Sequence, residues 1–290
     1  MLASLLVSVF LVGVKVTGAK EILQVAERRK ELKANRVMVK KVLQVEDKQA
    51  WIDDVMYDTK QRKDRIAAIE SASPLSYSMI ENGLLEKGSA MFEVFDSSSA
   101  VAKELEHSAT IMRSETKLDV ATGLLLGRAV AMIRARPQEI VAYILEYDGR
   151  HLQSSWDSAV DVRSEVLEHV NAHHIVIFNR KKATGCSHRT FLNSTVTKQV
   201  ADDPPTYVVA CLPIAQHDKI TAKDEKGAVR AESCRAFKLT EVADGITKME
   251  YTCSLNLRGS IPQAITNKVA VPQAMHGAPL SSSLLTFARL

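Results

Sequence analysis

The clearest pattern in the chain is an alternation of apolar and polar residues between Ile246 and Leu257. Because successive side chains of a strand point to opposite faces, the alternation predicts a β-strand with one apolar face. That face carries Met249, Tyr251, Cys253 and Leu255. The positions between them, including Glu250 and Ser254, are polar, so we expect them to face solvent. One buried and one solvated face are typical of an antiparallel sheet.

Further strand-like segments fill the second half of the chain. They cover residues 124–135, 162–170, 173–182, 189–199, 207–214 and 229–242. Asp244–Gly245 separates the last of them from the alternating strand, and this dipeptide is a strong signal for a β-hairpin. The spacing of these segments predicts consecutive antiparallel strands.

Two helices accompany the strands. The first begins at Pro137, after the first strand, and ends near Tyr147. The second begins near Ile261 and carries Ile265 and Val269 on one side. The order of strand, helix, antiparallel strands and C-terminal helix predicts an α+β fold, in which a curved antiparallel sheet packs around the C-terminal helix.

Residues 19–73 contain neither glycine nor proline and are rich in strong helix formers. Their apolar residues follow an imperfect heptad, because Arg29 and Arg36 occupy seam positions. We therefore expect amphipathic helices that pack on the protein or on a partner, in preference to a coiled-coil dimer. Between Lys20 and Arg65 there are 13 Lys/Arg and 9 Asp/Glu, and the difference of +4 equals the net charge of the chain. This small excess is typical of a solvated helix surface, and we expect no nucleic-acid partner.

The first residues contain an uncharged apolar run of 13 residues, from Leu2 to Val14. The run is shorter than the ~20 residues that span a bilayer. No basic residue precedes it, as one would in a signal peptide. Three interpretations stay open: an apolar helix of an intracellular protein, a membrane anchor and a cleaved signal. We expect a cytoplasmic protein, with membrane association through this segment as the alternative.

Residues 75–117 are harder to interpret. Gly83 and Gly88 punctuate them, and serines 97–99 precede a helical pattern from Ala100 to Met112. We interpret this part as a connector or helical extension. The predicted organisation is an apolar segment (1–18), a basic amphipathic helical segment (19–73), the connector or extension (74–119), a folded α+β domain (120–280) and a C-terminal tail (281–290).

Four short motifs occur in order along the predicted strands. They are Trp156-Asp157, Arg189-Thr190-Phe191, Val229-Arg230-Ala231 and Asn256-Leu257-Arg258-Gly259-Ser260-Ile261-Pro262. In this order they resemble the motifs of the START family of lipid-binding domains, over roughly residues 120–278. Thr190 and Asn256 stand where that family typically has aspartate.

The resemblance implies a helix-grip fold that binds a lipid or sterol in an internal hydrophobic cavity, without catalysis, for lipid transfer or sensing. Such a role implies transient membrane contact, and the N-terminal helices could bind a protein partner. Two alternatives stay open: an enzyme of the broader helix-grip superfamily that acts on a hydrophobic substrate, and a protein-interaction module without a ligand.

The resemblance and the strand faces together indicate the residues that we expect to contact a ligand. They are Trp156, Arg189, Phe191, Tyr207, Tyr251, Cys253, Leu255, Ile265 and Val269. The resemblance places Arg189 at the polar end of the cavity, where its guanidinium would orient a lipid headgroup or support the cavity wall. It also matches the loop Pro213–Gly227 with a lid-like loop of the family.

Motifs for catalysis and metal binding are missing from the sequence. It contains no Gly-x-Ser-x-Gly, no phosphate-binding glycine loop and no His-Glu-x-x-His. His169, His173 and His174 form the densest histidine group, which we interpret as part of a surface hairpin. The four cysteines lack Cys-x-x-Cys spacing, so we expect reduced, buried thiols. We expect neither a metal nor a cofactor.

Overall fold

The computed structural model describes residues 63–72, 76–96, 103–104, 111–119, 122–133, 135–145, 161–182 and 187–271. The apolar N-terminal run, most of the amphipathic segment, Trp156 and the C-terminal tail lie outside these ranges. Within them, no helix is both long and apolar enough to cross a membrane.

The described chain forms one ten-stranded sheet. Its strands are β1 (Lys103–Glu104), β2 (Ile111–Leu118), β3 (Leu125–Ile133), β4 (Asp161–Asn171), β5 (His174–Lys181), β6 (His188–Asp202), β7 (Pro205–Pro213), β8 (Ala228–Arg230), β9 (Glu232–Ala243) and β10 (Ile246–Asn256). The order across the sheet is β1-β2-β3-β10-β9-β7-β6-β5-β4, and β8 pairs in parallel with β6. All other pairs are antiparallel.

Five helical segments accompany the sheet in the described ranges. They are α1 (63–70), α2 (Met79–Asp96), α3 (Pro137–Leu145), α4 (Ala222–Glu225) and α5 (Gln263–Ile265), which continues as a π-helix at Thr266–Ala270. The α+β fold, with a curved antiparallel sheet, is confirmed. The predicted strand at 229–242 is two strands, β8 and β9, which are separated at Ala231. The backbone N–H of Ala231 donates to Thr190 O at 2.9 Å.

The main hydrophobic core lies on one face of this sheet, which we call the inner face. Strands β5, β6, β7, β9 and β10 each present alternate residues to it. Helix α3 packs on this face with Ile140, Ile144 and Leu145 buried, and Ile69 of α1 and Val271 at the end of the π-helix join the same core. The described start of the C-terminal helix thus contributes to the core beside the sheet.

The opposite, outer face is covered by α2. A second core cluster lies between them, with Leu85 of α2 against Val196, Val208, Ala210 and Leu212. We expected a solvated outer face, and this expectation is wrong for the central strands: Ser254 does face outward, yet it is buried. The helical pattern expected from Ala100 to Met112 is also wrong where it can be compared, because Lys103–Glu104 and Ile111–Leu118 are strands. β2 pairs with β3, so the sheet begins upstream of residue 120.

Gly88 brings α2 into close contact with the sheet. A Cβ at this position would lie 2.6 Å from the Cβ of Ala210, on the central strand β7. We expect Gly88→Ala to lower the free energy of unfolding by about 1–2 kcal/mol, because the steric overlap exceeds the gain in helix propensity. Gly83→Ala is the matched control, since a Cβ there meets nothing within 4 Å and should stabilise the same helix by up to ~1 kcal/mol. Urea denaturation of both variants checks this, and a stabilised Gly88→Ala would contradict it.

Candidate ligand-binding site

The inner face collects most of the residues that the sequence indicated as ligand contacts. Phe191, Tyr207, Tyr251, Cys253 and Leu255 are all buried in its core cluster. The inward face predicted for β10 is therefore confirmed, and with it the register of the alternating strand. The rings of Tyr251 and Phe237 lie 4.8 Å apart between their centroids, and together they form an aromatic wall. That these side chains touch a ligand stays a prediction.

The C-terminal helix differs from the expectation. Ile265 is 48% exposed, whereas its neighbour Thr266 is buried. The expectation assumed α-helical spacing from Ile265 to Val269, but residues 266–270 form a π-helix, which changes the side that faces the sheet. Thr266 and Val271 occupy the inward side. The side chain of Val269 is not among the described ones.

Arg189 is a buried structural residue. Its side chain is among the largest that are fully buried, with 1% exposure. The guanidinium donates to three backbone carbonyls: from Nε to Leu257 O at 2.7 Å, from Nη2 to Arg258 O at 3.3 Å, and from Nη1 to Ser187 O. These bonds join β6 to the loop that follows β10. Of the two roles that the resemblance implied, the contacts favour support of the wall over contact with a headgroup.

The motif residues converge on Arg189. Val229 lies beside it in the parallel β6–β8 pair, and Gly259 lies next to both residues. A Cβ on Gly259 would be 3.3 Å from the methyl groups of Val229 and 3.6 Å from Arg189 Nη2. Gly259 also has a φ of +66°, in the left-handed region that favours glycine. The three motifs therefore form one packed junction at the end of the sheet.

Glu225 supplies the carboxylate at this junction. Thr190 Oγ1 donates to Glu225 Oε1 at 3.2 Å, and Arg230 Nε donates to the same oxygen. The aspartate expected at position 190 is thus replaced by a threonine that binds a glutamate from α4. Arg230 is held by this ion pair.

The loop between β7 and β8 packs on the outer face. Ile214 and Ile220 contact the outer cluster formed by Leu167, Val176, Phe178 and Leu192. Polar contacts to β4 and β5 hold the loop, including Arg163 to Asp224, Arg180 to the carbonyls of Asp224 and Lys226, and His217 to Glu168. The expected lid therefore does not lie over the inner face in this structure.

A small pocket lies between the inner face and α3. It is lined by Ile144, Ile175, Ile177, Thr195, Cys211, Arg235 and Phe237. About 10 Å³ is open to the centre of a water molecule, which is room for about one water. The lining is apolar apart from Thr195, Cys211 and Arg235, so the pocket combines an apolar wall with a few polar groups, as ligand sites do.

Sequence analysis did not single out Arg235. Its place follows from the register, because Thr195, Cys211, Arg235 and Cys253 are successive partners across β6, β7, β9 and β10. They form one polar row across the inner face, and Arg235 Nη2 lies 3.0 Å from Cys211 Sγ. Alternation along β9 could have revealed it, since Arg235 shares a face with the buried Phe237 and Leu239.

Burial keeps two titratable side chains of the inner face, Tyr251 and Cys253, uncharged. Burial raises the pKa of the Cys253 thiol to about 12, and it raises the pKa of Tyr251 well above its ordinary value. Both side chains are therefore protonated at neutral pH, so they offer hydrogen bonds and no charge. Cys211 and Cys253 are buried free thiols, as expected, whereas the free thiol of Cys234 is only partly buried and Cys186 lies outside the described residues.

A second polar cluster lies on the outer face, beneath α2. Glu81 Oε1 is 2.9 Å from His174 Nδ1 and 3.4 Å from His173 Nε2. His174 Nε2 lies 2.6 Å from Ser194 Oγ. All four side chains are buried, so the interpretation of His173 and His174 as parts of a surface hairpin is wrong. The contacts of His173 and His174 with Glu81 hold α2 against the sheet.

The series Ser194–His174–Glu81 has the connectivity of a nucleophile, base and acid. Ser194, however, is only 2% exposed and lies within the sheet between β5 and β7, under α2. The geometry therefore supports a structural network. Among the residues that the structure describes, no group of three or more His, Cys, Asp or Glu side chains could hold a metal ion.

Comparisons with known proteins show which solved structures this architecture resembles. No protein-family model matches the chain, and no curated protein matches it in sequence. Human StAR-related lipid transfer protein 5 superposes with a TM-score of 0.55 at 14% identity, over 73% of this chain and 98% of that protein. Human STARD10 superposes with a TM-score of 0.51 at 14% identity, over 69% of this chain and 77% of that one.

These likenesses define the fold. The chain is an α+β protein of the helix-grip type, with a largely apolar inner face that also carries buried polar residues. More particularly, it has a START-like fold, as the order of its motifs implied. At 14% identity the superpositions describe architecture and leave the ligand to be inferred from the site.

Proposed function

We propose that this chain binds a lipid or sterol between the inner face of the sheet and the helices that cover it, without catalysis. The observation that carries the proposal is a largely apolar inner face in a START-like fold. Burying apolar ligand surface on such a face contributes about 0.8 kcal/mol per methylene, so no covalent chemistry is needed for stable binding. The protonated thiol of Cys253 supports binding over nucleophilic catalysis.

Ligand entry requires the helices to move. The pocket beneath α3 has room for about one water, whereas sites for ligands of lipid size occupy several hundred Å³. Only α3, α1 and the C-terminal helix cover the inner face in the described ranges, so displacement of one of them opens the space. A helix that opens at a membrane surface would give transient membrane contact, as transfer or sensing requires.

Lipid capture tests the proposal. The full-length protein is stripped of lipid, incubated with a total lipid extract and examined by native mass spectrometry. We expect discrete mass additions from one or a few lipid species. An unchanged mass across neutral, anionic and sterol-containing extracts would contradict the proposed function.

Leu255→Arg tests the location of the site. Leu255 is buried on the inner face, so we expect an arginine there to abolish lipid capture and to destabilise the fold by burying an unpaired charge. Glu250→Arg is the matched control, because Glu250 lies on the opposite face of the same strand and is partly exposed. It should retain capture. Circular dichroism of both variants separates lost binding from lost folding, and equal capture by both would place the ligand elsewhere.

A further inference from the structure

Positive charge is concentrated at one end of the sheet, where β5 ends and β6 and β8 begin. Three short ranges, 180–182, 187–189 and 218–230, meet there, because the start of β6 pairs with β5 on one side and with β8 on the other. Together they contain 8 Lys/Arg and 3 Asp/Glu, a net charge of +5. The whole chain carries +4 and the segment from Lys20 to Arg65 also carries +4, so the remaining residues carry −5.

Exposed lysines form the surface of this end, which we call the basic end. Lys182, Lys223 and Lys226 are all exposed. Two of the three acids in the same ranges are engaged within the protein, since Asp224 pairs with Arg163 and Glu225 pairs with Arg230. The third, Asp218, is exposed. The surface that an approaching partner meets is therefore positive.

Arg180 holds the lysines of the loop in place. Its guanidinium donates from Nη1 to Asp224 O at 2.8 Å and from Nη2 to Lys226 O at 2.7 Å. These bonds fix the loop that carries Lys223 and Lys226 against β5, and Lys182 follows β5 directly. The three lysines are thus presented together from one hydrogen-bonded part of the fold.

Negative charge lies at the opposite end of the sheet. Asp202 and Asp203 are exposed at the turn between β6 and β7, and Asp244 is exposed at the turn between β9 and β10. Strand β6 begins at the basic end and runs the length of the sheet to Asp202. The charge is therefore separated along the strands, and such a separation orients a protein in the field of a charged surface.

The surroundings of the basic end favour a membrane as the partner. The C-terminal helix begins at this end, because Gly259 in the loop before it lies against Val229 of β8. Ile265, in the first turn of that helix, is 48% exposed and can enter the interface of a bilayer. None of the large apolar side chains exposed in the described ranges is aromatic, so they offer no stacking surface for nucleic-acid bases.

We propose that the basic end docks on membranes that contain anionic phospholipids, with Lys182, Lys223 and Lys226 against the lipid headgroups. Clusters of basic residues are attracted to such membranes within about a Debye length of the surface. Docking in this orientation turns the beginning of the C-terminal helix towards the bilayer. This inference rests on the proposed function, since a lipid carrier has to meet a membrane, and it adds the surface that makes the contact and the charge of the membrane.

The test measures binding of the full-length protein to vesicles by sedimentation. One set of vesicles contains phosphatidylcholine alone, and the other contains equal parts of phosphatidylserine and phosphatidylcholine. We expect wild type to prefer the phosphatidylserine vesicles and to lose this preference as salt is added. Each lysine near such a surface contributes about fivefold to partitioning, so Lys223→Gln/Lys226→Gln should lower binding to these vesicles at least tenfold.

Lys87→Gln/Lys238→Gln is the matched control, because it removes the same charge from exposed lysines on α2 and β9. It should bind as wild type does, whereas an equal loss would indicate an effect of net charge and overturn the assignment. Wild-type binding that does not distinguish the two kinds of vesicle would also overturn it. So would a double variant at Lys223 and Lys226 that keeps the wild-type preference, since the contact would then lie elsewhere in the chain.

Two further measurements separate the alternatives. If wild type ignores the vesicles and binds a duplex oligonucleotide through Lys223 and Lys226, the partner is a nucleic acid and the membrane proposal is wrong. Lipid capture in native mass spectrometry should be the same for wild type and Lys223→Gln/Lys226→Gln, because these lysines lie outside the inner face. Capture that persists without a preference for phosphatidylserine vesicles would overturn this inference alone, whereas absence of capture by wild type would contradict the proposed function.

Discussion

Arg189→Ala is expected to lower the free energy of unfolding by about 2–4 kcal/mol, among the largest effects of any single substitution in this fold. The variant loses charged hydrogen bonds to the carbonyls of Leu257, Arg258 and Ser187. It also leaves the buried carbonyl of Leu257 without this donor and creates a cavity at the junction of β6, β8 and the loop after β10.

Thermal and urea denaturation of wild type, Arg189→Ala and Arg189→Lys measure this effect. Lysine supplies one of the three bonds at most, so it should recover a minor part of the loss. Arg258→Ala is the control from the same loop, since the side chain of Arg258 is 49% exposed and its ion pair with Glu232 should contribute less than about 1 kcal/mol. A fully stable Arg189→Ala would mean that water replaces the guanidinium, and that the junction does not depend on it.

The junction explains why weak motifs predicted the fold. Arg189, Val229 and Gly259 contact one another although they come from three separate motifs. Their residue types are required by the geometry: a long side chain with several donors, a strand residue beside it and a residue with positive φ. The order of such motifs therefore reports on architecture. It says little about the ligand.

Strands with one apolar face could be predicted from the sequence, because the alternation of apolar and polar residues along a strand indicates which of them point inward. For β10, Tyr251, Cys253 and Leu255 all lie on the predicted face. The opposite face could not be predicted in the same way. Thr252 and Ser254 are polar yet buried, because α2 covers them from more than 150 residues upstream in the chain.

The sequence of helix α2 contains signals of a helix, but Gly83 and Gly88 made them hard to recognise. Ser78 and Glu81 form a capping box, in which the backbone N–H of Ser78 donates to Glu81 Oε2 at 2.7 Å and that of Glu81 donates to Ser78 Oγ at 3.2 Å. The buried residues then recur every three or four positions along one side: Glu81, Leu85, Gly88, Phe92 and Phe95. A glycine in this stripe indicates close packing against a neighbouring element, and the neighbour is Ala210.

The roles of His173 and His174 depended on a partner that the sequence could not identify. Glu81 belongs to a different element and lies about 90 residues earlier in the chain. Charged and polar residues in a predicted hairpin are most often solvated, so the local pattern favoured a surface position. Only the docking of α2 brings the carboxylate to the histidines and makes their burial favourable.

The outer-face network predicts that α2 loosens on acidification. Burial lowers the pKa of His173, and Glu81 opposes this in part. Because the folded state resists protonation of His173, stability should fall as the pH drops below about 6.5, the ordinary value for histidine. Burial would raise the pKa of Glu81, but hydrogen bonds from Ser78, Asn171 and His174 outweigh it and lower the pKa to about 2. The contribution of Glu81 is therefore complete above about pH 4.5 and is lost as the pH falls towards 2.

Glu81→Gln measures the second of these contributions. We expect it to lower the free energy of unfolding by about 3 kcal/mol at neutral pH, since a pKa lowered from 4.5 to about 2 corresponds to that difference. The gap between wild type and variant should shrink as the pH falls below 4.5. Burial raises the pKa of Tyr77, which stacks on His173, to about 12, so its phenol stays neutral across this range. Glu86→Gln, on the exposed side of the same helix, is the control and should leave the free energy of unfolding at neutral pH close to that of wild type. Denaturant titrations at pH 7.5, 5.5 and 3.5 make the comparison, and a gap that persists unchanged at pH 3.5 would show that Glu81 acts through packing and not through its charge.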